Sequence, residues 1–258
     1  MDGKHETTES VESRVSFLVA GTNGLAYRHL TDGKLAECPI PEIRLPQANG
    51  DVLLDIGCGW GRWSVAAGRL GYRPVGIDPR FGTIQVARRL ARELGIKADF
   101  VVGDARALPF RDGSIDIVYS YSVLQHFSTP DVETTATEIC RVLRPGGKSL
   151  IQMATVFGIR CLYHQARRLF REARGFEVRY RKISELRNLF TSRVGFSRLS
   201  VDCFFGLGIQ ESDIRMMPPH MRIVFRASGL LRRASMAIPQ LLYVADSVYI
   251  ESHKPEPR

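Results

Sequence analysis

The residues best equipped for chemistry fall in one stretch, Asp55-Ile56-Gly57-Cys58-Gly59-Trp60-Gly61. A carboxylate closes a short apolar run, and three glycines follow at alternate positions. Glycine lacks a Cβ, so backbone here can approach a ligand closely. An acidic residue at the carboxyl end of a buried strand faces the crevice where open α/β sheets bind ligands. The spacing G-x-G-x-G departs from the dinucleotide fingerprint, whose third glycine position is Arg62 in this chain. Asp55 is also badly placed beside a pyrophosphate and suits an ammonium or sulfonium group. Taken alone, the stretch also fits a tight strand-to-helix turn with no ligand.

Two more carboxylates follow at telling places. The separation of Gly57 from Asp78 matches the position where an acidic residue takes ribose hydroxyls in Rossmann-like folds. Asp78-Pro79 also fits a helix start, and both roles can hold at once. Asp104, past a third strand, offers an acceptor to an exocyclic amine. His126, past a fourth, has an ordinary pKa near neutrality and is the best-placed general base. Packing beside a ligand is the competing role for that imidazole. Tyr119 and Tyr121 fit either a pocket wall or strand-end packing.

The elements that must hold these residues can be read from hydrophobic period. Val52–Ile56 is a strand, and Trp63, Ala66, Ala67 and Leu70 have helical spacing. A strand at Arg73–Ile77 precedes a helix carrying Ile84, Ala87, Leu90, Ala91 and Leu94, which Gly95 ends. Ala98–Val102 and Ile115–Tyr119 are the third and fourth strands. A helix from Thr129-Pro130 buries Val132, Ala136 and Ile139, breaks at Arg144–Gly147, and leads to a fifth strand at Ser149–Met153. Such alternation calls for a parallel sheet covered on both faces.

The series Leu53-Leu54-Asp55-Ile56-Gly57-Cys58-Gly59-x-Gly61, Gly76-Ile77-Asp78, Gly103-Asp104-Ala105 and Leu143-Arg144-Pro145-Gly146-Gly147 resembles the class I S-adenosylmethionine-dependent methyltransferases. Within them it is most similar to the small-molecule group called methyltransferase type 11. The resemblance implies a Rossmann-like, seven-stranded, mostly parallel α/β sheet with helices on both faces and a reversed C-terminal β-hairpin. It assigns the methionine part of S-adenosylmethionine to the Asp55–Gly61 loop (Asp55, Gly57, Cys58, Gly59, Gly61). Asp78 with Pro79 takes the ribose, Asp104 with Ala105 takes the adenine, and Ser120 completes the set. No metal is expected. The Asn-Pro-Pro-Tyr tetrad of many exocyclic-amine methyltransferases is absent after the fourth strand, which disfavours that chemistry and leaves oxygen as the favoured atom. An NAD-dependent oxidoreductase is the first rival; the missing third glycine and the extra Asp104 tell against it. A non-catalytic cofactor-binding protein is the second.

Three regions are expected: a tail and lid at 1–47, where Tyr27 and Arg28 could touch an anionic group; a cofactor-binding core at 48–155; and a C-terminal part at 156–258. The last holds an amphipathic helix with Ile159, Leu162, Tyr163, Ala166, Leu169, Phe170 and Ala173 on one face. Packing against the domain is the common fate of such a stripe, and peripheral membrane contact is the alternative. Gly195–Phe204 and the stretch near Ser247–Glu251 are the last two strands, and the insertion between them shapes an acceptor pocket for a small-molecule or lipid- or glycan-linked substrate.

The net charge of +9 is uneven. Eleven Lys or Arg against three Glu between Phe157 and Arg198 give a local +8, leaving +1 elsewhere. A basic face meets nucleic acid, anionic lipid or acidic small molecules, or is simply solvated. An RNA methyltransferase using 157–198 is therefore a third rival, disfavoured by the lack of an RNA-binding module. The five scattered cysteines lack any C-x-x-C and read as thiols of a reducing compartment. With a polar N-terminus and no apolar run of membrane-span length, the expectation is a cytoplasmic protein.

Overall fold

The computed structural model describes residues 38–206 and 210–256. The lid expected around Tyr27 and Arg28 therefore lies almost wholly outside the described residues.

Strand residues alternate between two cores, as a period of two requires. Leu53, Ile117, Tyr119, Leu150 and Tyr249 join one apolar cluster. Their neighbours Leu54, Val118, Ile151, Val248 and Ile250 join the other. A sheet buried on both faces follows, with order β3-β2-β1-β4-β5-β7-β6. Its strands are β1 (Val52–Ile56), β2 (Arg73–Asp78), β3 (Asp99–Val102), β4 (Ile115–Tyr121), β5 (Leu143–Ala154), β6 (Ser197–Cys203) and β7 (Ser247–His253). The first five run parallel. β7 is antiparallel to both β5 and β6, which is the expected reversed hairpin.

Helices α1 (Arg62–Arg69) and α2 (Phe81–Glu93) cover the first face through Val65, Ala66, Ile84, Ala87 and Leu90. α3 (Thr129–Val142) and α5 (Ile183–Arg193) cover the second through Val132, Ala136, Ile139, Leu186 and Phe190. Ser128 starts α3 by accepting the Asp131 N–H, with Pro130 in the first turn. α2 begins at Phe81, two residues after Pro79, because Asp78 Oδ1 accepts the Arg80 N–H at 3.0 Å and holds the chain extended there.

The sharpest departure from expectation is α4. It spans only Ile159–Arg167, and Cys161 is its sole buried residue. The apolar stripe does not pack on the domain: Ile159, Tyr163, Leu169 and Phe170 are exposed. Both faces of the sheet are already covered by other helices among the described residues, so the stripe of α4 finds no place on them. α6 (Pro219–Ala234) occupies the insertion between β6 and β7 and sends Met221, Val224 and Phe225 toward the first core.

Candidate active site

A cavity of about 1010 Å³ follows the carboxyl ends of the strands in sheet order. Asp104 and Ala105 line it after β3, Asp78 and Pro79 after β2, and Gly57, Cys58 and Gly59 after β1. Tyr121, Ser122 and His126 follow after β4, Ala154 at the end of β5, and Ser247 at the start of β7. β7 contributes its first residue because it runs against the others. Pockets for single small ligands range up to roughly 1,000 Å³, so this cavity has room for a nucleoside-sized ligand and a second molecule.

Gly57 and Gly61 both have positive φ, at 70° and 86°, but for different ends. A Cβ on Gly57 would overlap the Val123 side chain, which itself lines the cavity. A Cβ on Gly61 would meet Ala87 of α2, so Gly61 serves helix packing and is not on the cavity wall. Gly57→Ala is expected to lower stability by about 1–3 kcal/mol through backbone strain and steric overlap. Denaturant titration measures it, and an unchanged midpoint would show that the loop relaxes freely.

Asp78 anchors the loop. Its Oδ2 accepts the Gly59 N–H at 3.2 Å, while Oδ1 takes the backbone and Nε of Arg80. Each oxygen keeps acceptor capacity for a ligand diol. Asp104 is gripped by Arg106, whose Nε and Nη2 both reach it, and this guanidinium also holds Asp131. That pairing pulls the Asp104 pKa below the ordinary carboxylate range. An exocyclic amine at Asp104 would therefore share the carboxylate with Arg106.

Asp55 does not line the cavity. It lies beneath the loop, 1% exposed, with Ser64 donating to Oδ2 at 2.7 Å. Burial raises its pKa to about 7. Ser120 is likewise fully buried and donates to the Ile56 carbonyl, tying β4 to β1. Asp55, Gly61 and Ser120 thus support the loop from below, whereas the other expected cofactor residues face the cavity.

His126 lines the cavity, stacked on Phe176 with ring centroids 3.9 Å apart. Nδ1 lies 2.8 Å from the Phe176 carbonyl. A carbonyl can only accept, so Nδ1 carries the hydrogen and Nε2 the lone pair of the neutral ring. Burial lowers the His126 pKa, which favours that neutral form.

Sequence reasoning missed the far wall. Asp202 of β6, 3% exposed, is the hub of a buried network beneath it, accepting from Tyr121, Gln152 and Ser247 and pairing with Arg44 at 3.0 Å. Gln152 in turn accepts from the backbone and hydroxyl of Ser122, which holds a positive φ of 60° at the end of β4. A polar Gln152 inside the otherwise apolar β5 run was the available signal. Tyr119 is core and Tyr121 is wall: two residues apart on β4, both point to the same face, and only the later one reaches the strand end.

A family model described as a methyltransferase domain matches residues 53–147. Two curated relatives match part of the chain. A ubiquinone biosynthesis O-methyltransferase from Rhizobium johnstonii is 36% identical over 104 residues, 40% of each chain. A demethylmenaquinone methyltransferase from Lactococcus lactis is 34% identical over 132 residues, 49% of this chain and 51% of that one. The chain thus spans about half, or less, of the curated relatives it matches. Among solved structures, an S-adenosylmethionine-dependent methyltransferase of Methanosarcina mazei superposes with a TM-score of 0.57 at 20% identity, covering 81% of this chain and 95% of that one. The fold of the whole sheet is therefore that of the class I methyltransferases. The matched stretch contains every expected cofactor residue and Tyr121, while Asp202 and Ser247 lie outside it.

Proposed function

We propose that this chain is an S-adenosylmethionine-dependent methyltransferase that methylates oxygen on a small or lipid-linked acceptor with an apolar body. The observation that carries this reading is the order of groups along the cavity: Asp104, Asp78 and the glycine loop in sheet order, then an aromatic wall. The residues fit the cofactor. Asp78 keeps acceptor capacity for a diol, a Cβ built on Gly59 meets nothing within 4 Å, and Ala105 offers an apolar edge beside Asp104.

When bound, S-adenosylmethionine supplies a methyl group on a sulfonium, which is already a good leaving group. What remains for the protein is positioning, exclusion of water and management of one proton. Trp63, Tyr121, Phe176 and Tyr180 line the acceptor side and would hold an apolar or aromatic body. A hydroxyl acceptor has a proton to lose, and Nε2 of neutral His126 is the group that would take it. The names of the curated relatives speak of O-methylation in one case and of a demethylmenaquinone in the other, in line with an acceptor of this character.

Calorimetric titration with S-adenosylmethionine and, separately, with NAD tests the cofactor assignment. Micromolar binding of the first alone is expected. Binding of NAD alone would overturn the reading, since the loop would then be serving a dinucleotide.

A further inference from the structure

The stretch from Phe157 to Phe176 sits on the domain with its apolar side chains outward. Leu169 is 88% exposed, Phe170 67%, Ile159 62% and Tyr163 57%. Single exposed apolar residues are ordinary, but a contiguous group of this kind marks a surface with a partner. Leu169 and Phe170 are also held in left-handed backbone, at φ 53° and 54°. Their N–H groups donate to the Ala166 and Gln165 carbonyls, both at 2.8 Å, which fixes the turn. Left-handed backbone is unfavourable for non-glycine residues, more so two in succession. The turn therefore spends conformational energy to hold two large apolar side chains in solvent.

Charge identifies the partner. Five arginines and one glutamate fall between Phe157 and Phe176. Arg168 is absorbed by the turn, donating to the Val178 carbonyl and lying over Tyr180, and Arg171 pairs with Glu177. Arg160, Arg167 and Arg174 have no carboxylate at ion-pair distance among the described residues. Arginines interleaved with exposed Leu, Ile and Phe make the composition of a helix lying in a lipid interface, the apolar groups entering the acyl boundary and the cations meeting anionic headgroups. No helix among the described residues is long and apolar enough to cross a membrane.

We propose that α4 and the turn after it dock this protein on the surface of an anionic phospholipid bilayer. The same segment lines the cavity through Arg160, His164 and Phe176. If the methyltransferase reading holds, and this clause alone rests on it, docking places the acceptor side of the cavity beside the bilayer that would deliver a lipid-linked substrate.

Co-sedimentation of the full chain with vesicles tests the proposal, comparing pure phosphatidylcholine with vesicles containing about one third phosphatidylglycerol. Binding to the anionic vesicles, weak on the neutral ones and weakened by salt, is expected. The double variant Leu169→Asn, Phe170→Asn should lower partitioning about tenfold or more. Asparagine tolerates left-handed backbone, so this variant keeps the turn, and its thermal melt and S-adenosylmethionine titration should match the parent. The pair Arg167→Glu, Arg174→Glu should cause a loss of about tenfold on anionic vesicles. Failure to bind anionic vesicles, or binding that ignores both variants, overturns the proposal. So does a concentration-dependent dimer, or salt-dependent binding to RNA, that the variants abolish while vesicles remain unbound. Loss of the cofactor reading would leave vesicle binding untouched, so the two failures are distinguishable.

Discussion

Asp78→Ala is expected to weaken S-adenosylmethionine binding about a hundredfold, as measured by calorimetry. Hydrogen bonds to a charged group contribute roughly 1.5–3 kcal/mol each, and a diol would make two to this carboxylate. The same side chain holds the Gly59 and Arg80 N–H groups, so its loss also loosens the loop that must meet the ligand. Asp78→Asn separates the two effects. Its amide oxygen can still hold one backbone N–H, so the loop should stay ordered while diol binding falls by an intermediate amount. Unchanged affinity in the alanine variant would remove Asp78 from the cofactor site and leave it as a structural brace between β2 and α2.

Asp55 gives a large pH effect between acid and neutral pH. Its carboxyl is fully buried beside Ser64, and desolvation raises its folded pKa from 3.8 to about 7. The folded state thus holds this proton more tightly than the unfolded chain does. The resulting stabilisation is complete below pH 3.8 and is lost as pH rises toward 7, above which the group is ionised in both states. The gap corresponds to roughly 4 kcal/mol. Asp55→Asn has nothing to ionise and can still accept from Ser64. The variant should therefore gain on the parent by several kcal/mol between pH 4 and 7.5, read from urea midpoints at each pH. Comparing parent and variant cancels the half-buried carboxylates that Arg106, Arg141 and Arg171, with Ser128 at Asp131, hold below their usual range, which push the other way. A flat difference across that range would show that Asp55 is solvated or already paired in the folded protein.

The site divides sharply between what could be read in advance and what could not. The glycine loop, Asp78 and Asp104 were legible because each sits just past a parallel strand, and strand ends in a doubly wound sheet necessarily face one edge. The roles within that set were not. Asp55 and Gly57 stand two residues apart, yet one is buried under the loop and the other faces the cavity. That depends on the turn geometry and on where Ser64 and Val123 arrive, and no local pattern encodes it. Asp202 shows the same limit from the other side. It lies on β6, some 80 residues after Tyr121, and comes within hydrogen-bond reach of that wall residue only in the assembled sheet, where β7 stands between β5 and β6.

By itself, then, the sequence determined the first five strands, the helices between them and which residues stand at strand ends, because these follow from hydrophobic patterns and from glycine spacing; the reversed hairpin was implied by the family resemblance. The tertiary structure alone decided which of those residues reach the cavity, and that the stripe of α4 stays outside. An amphipathic pattern states that a face must be covered. Only the packed sheet, with both of its own faces already filled, decides that nothing within the described residues covers it.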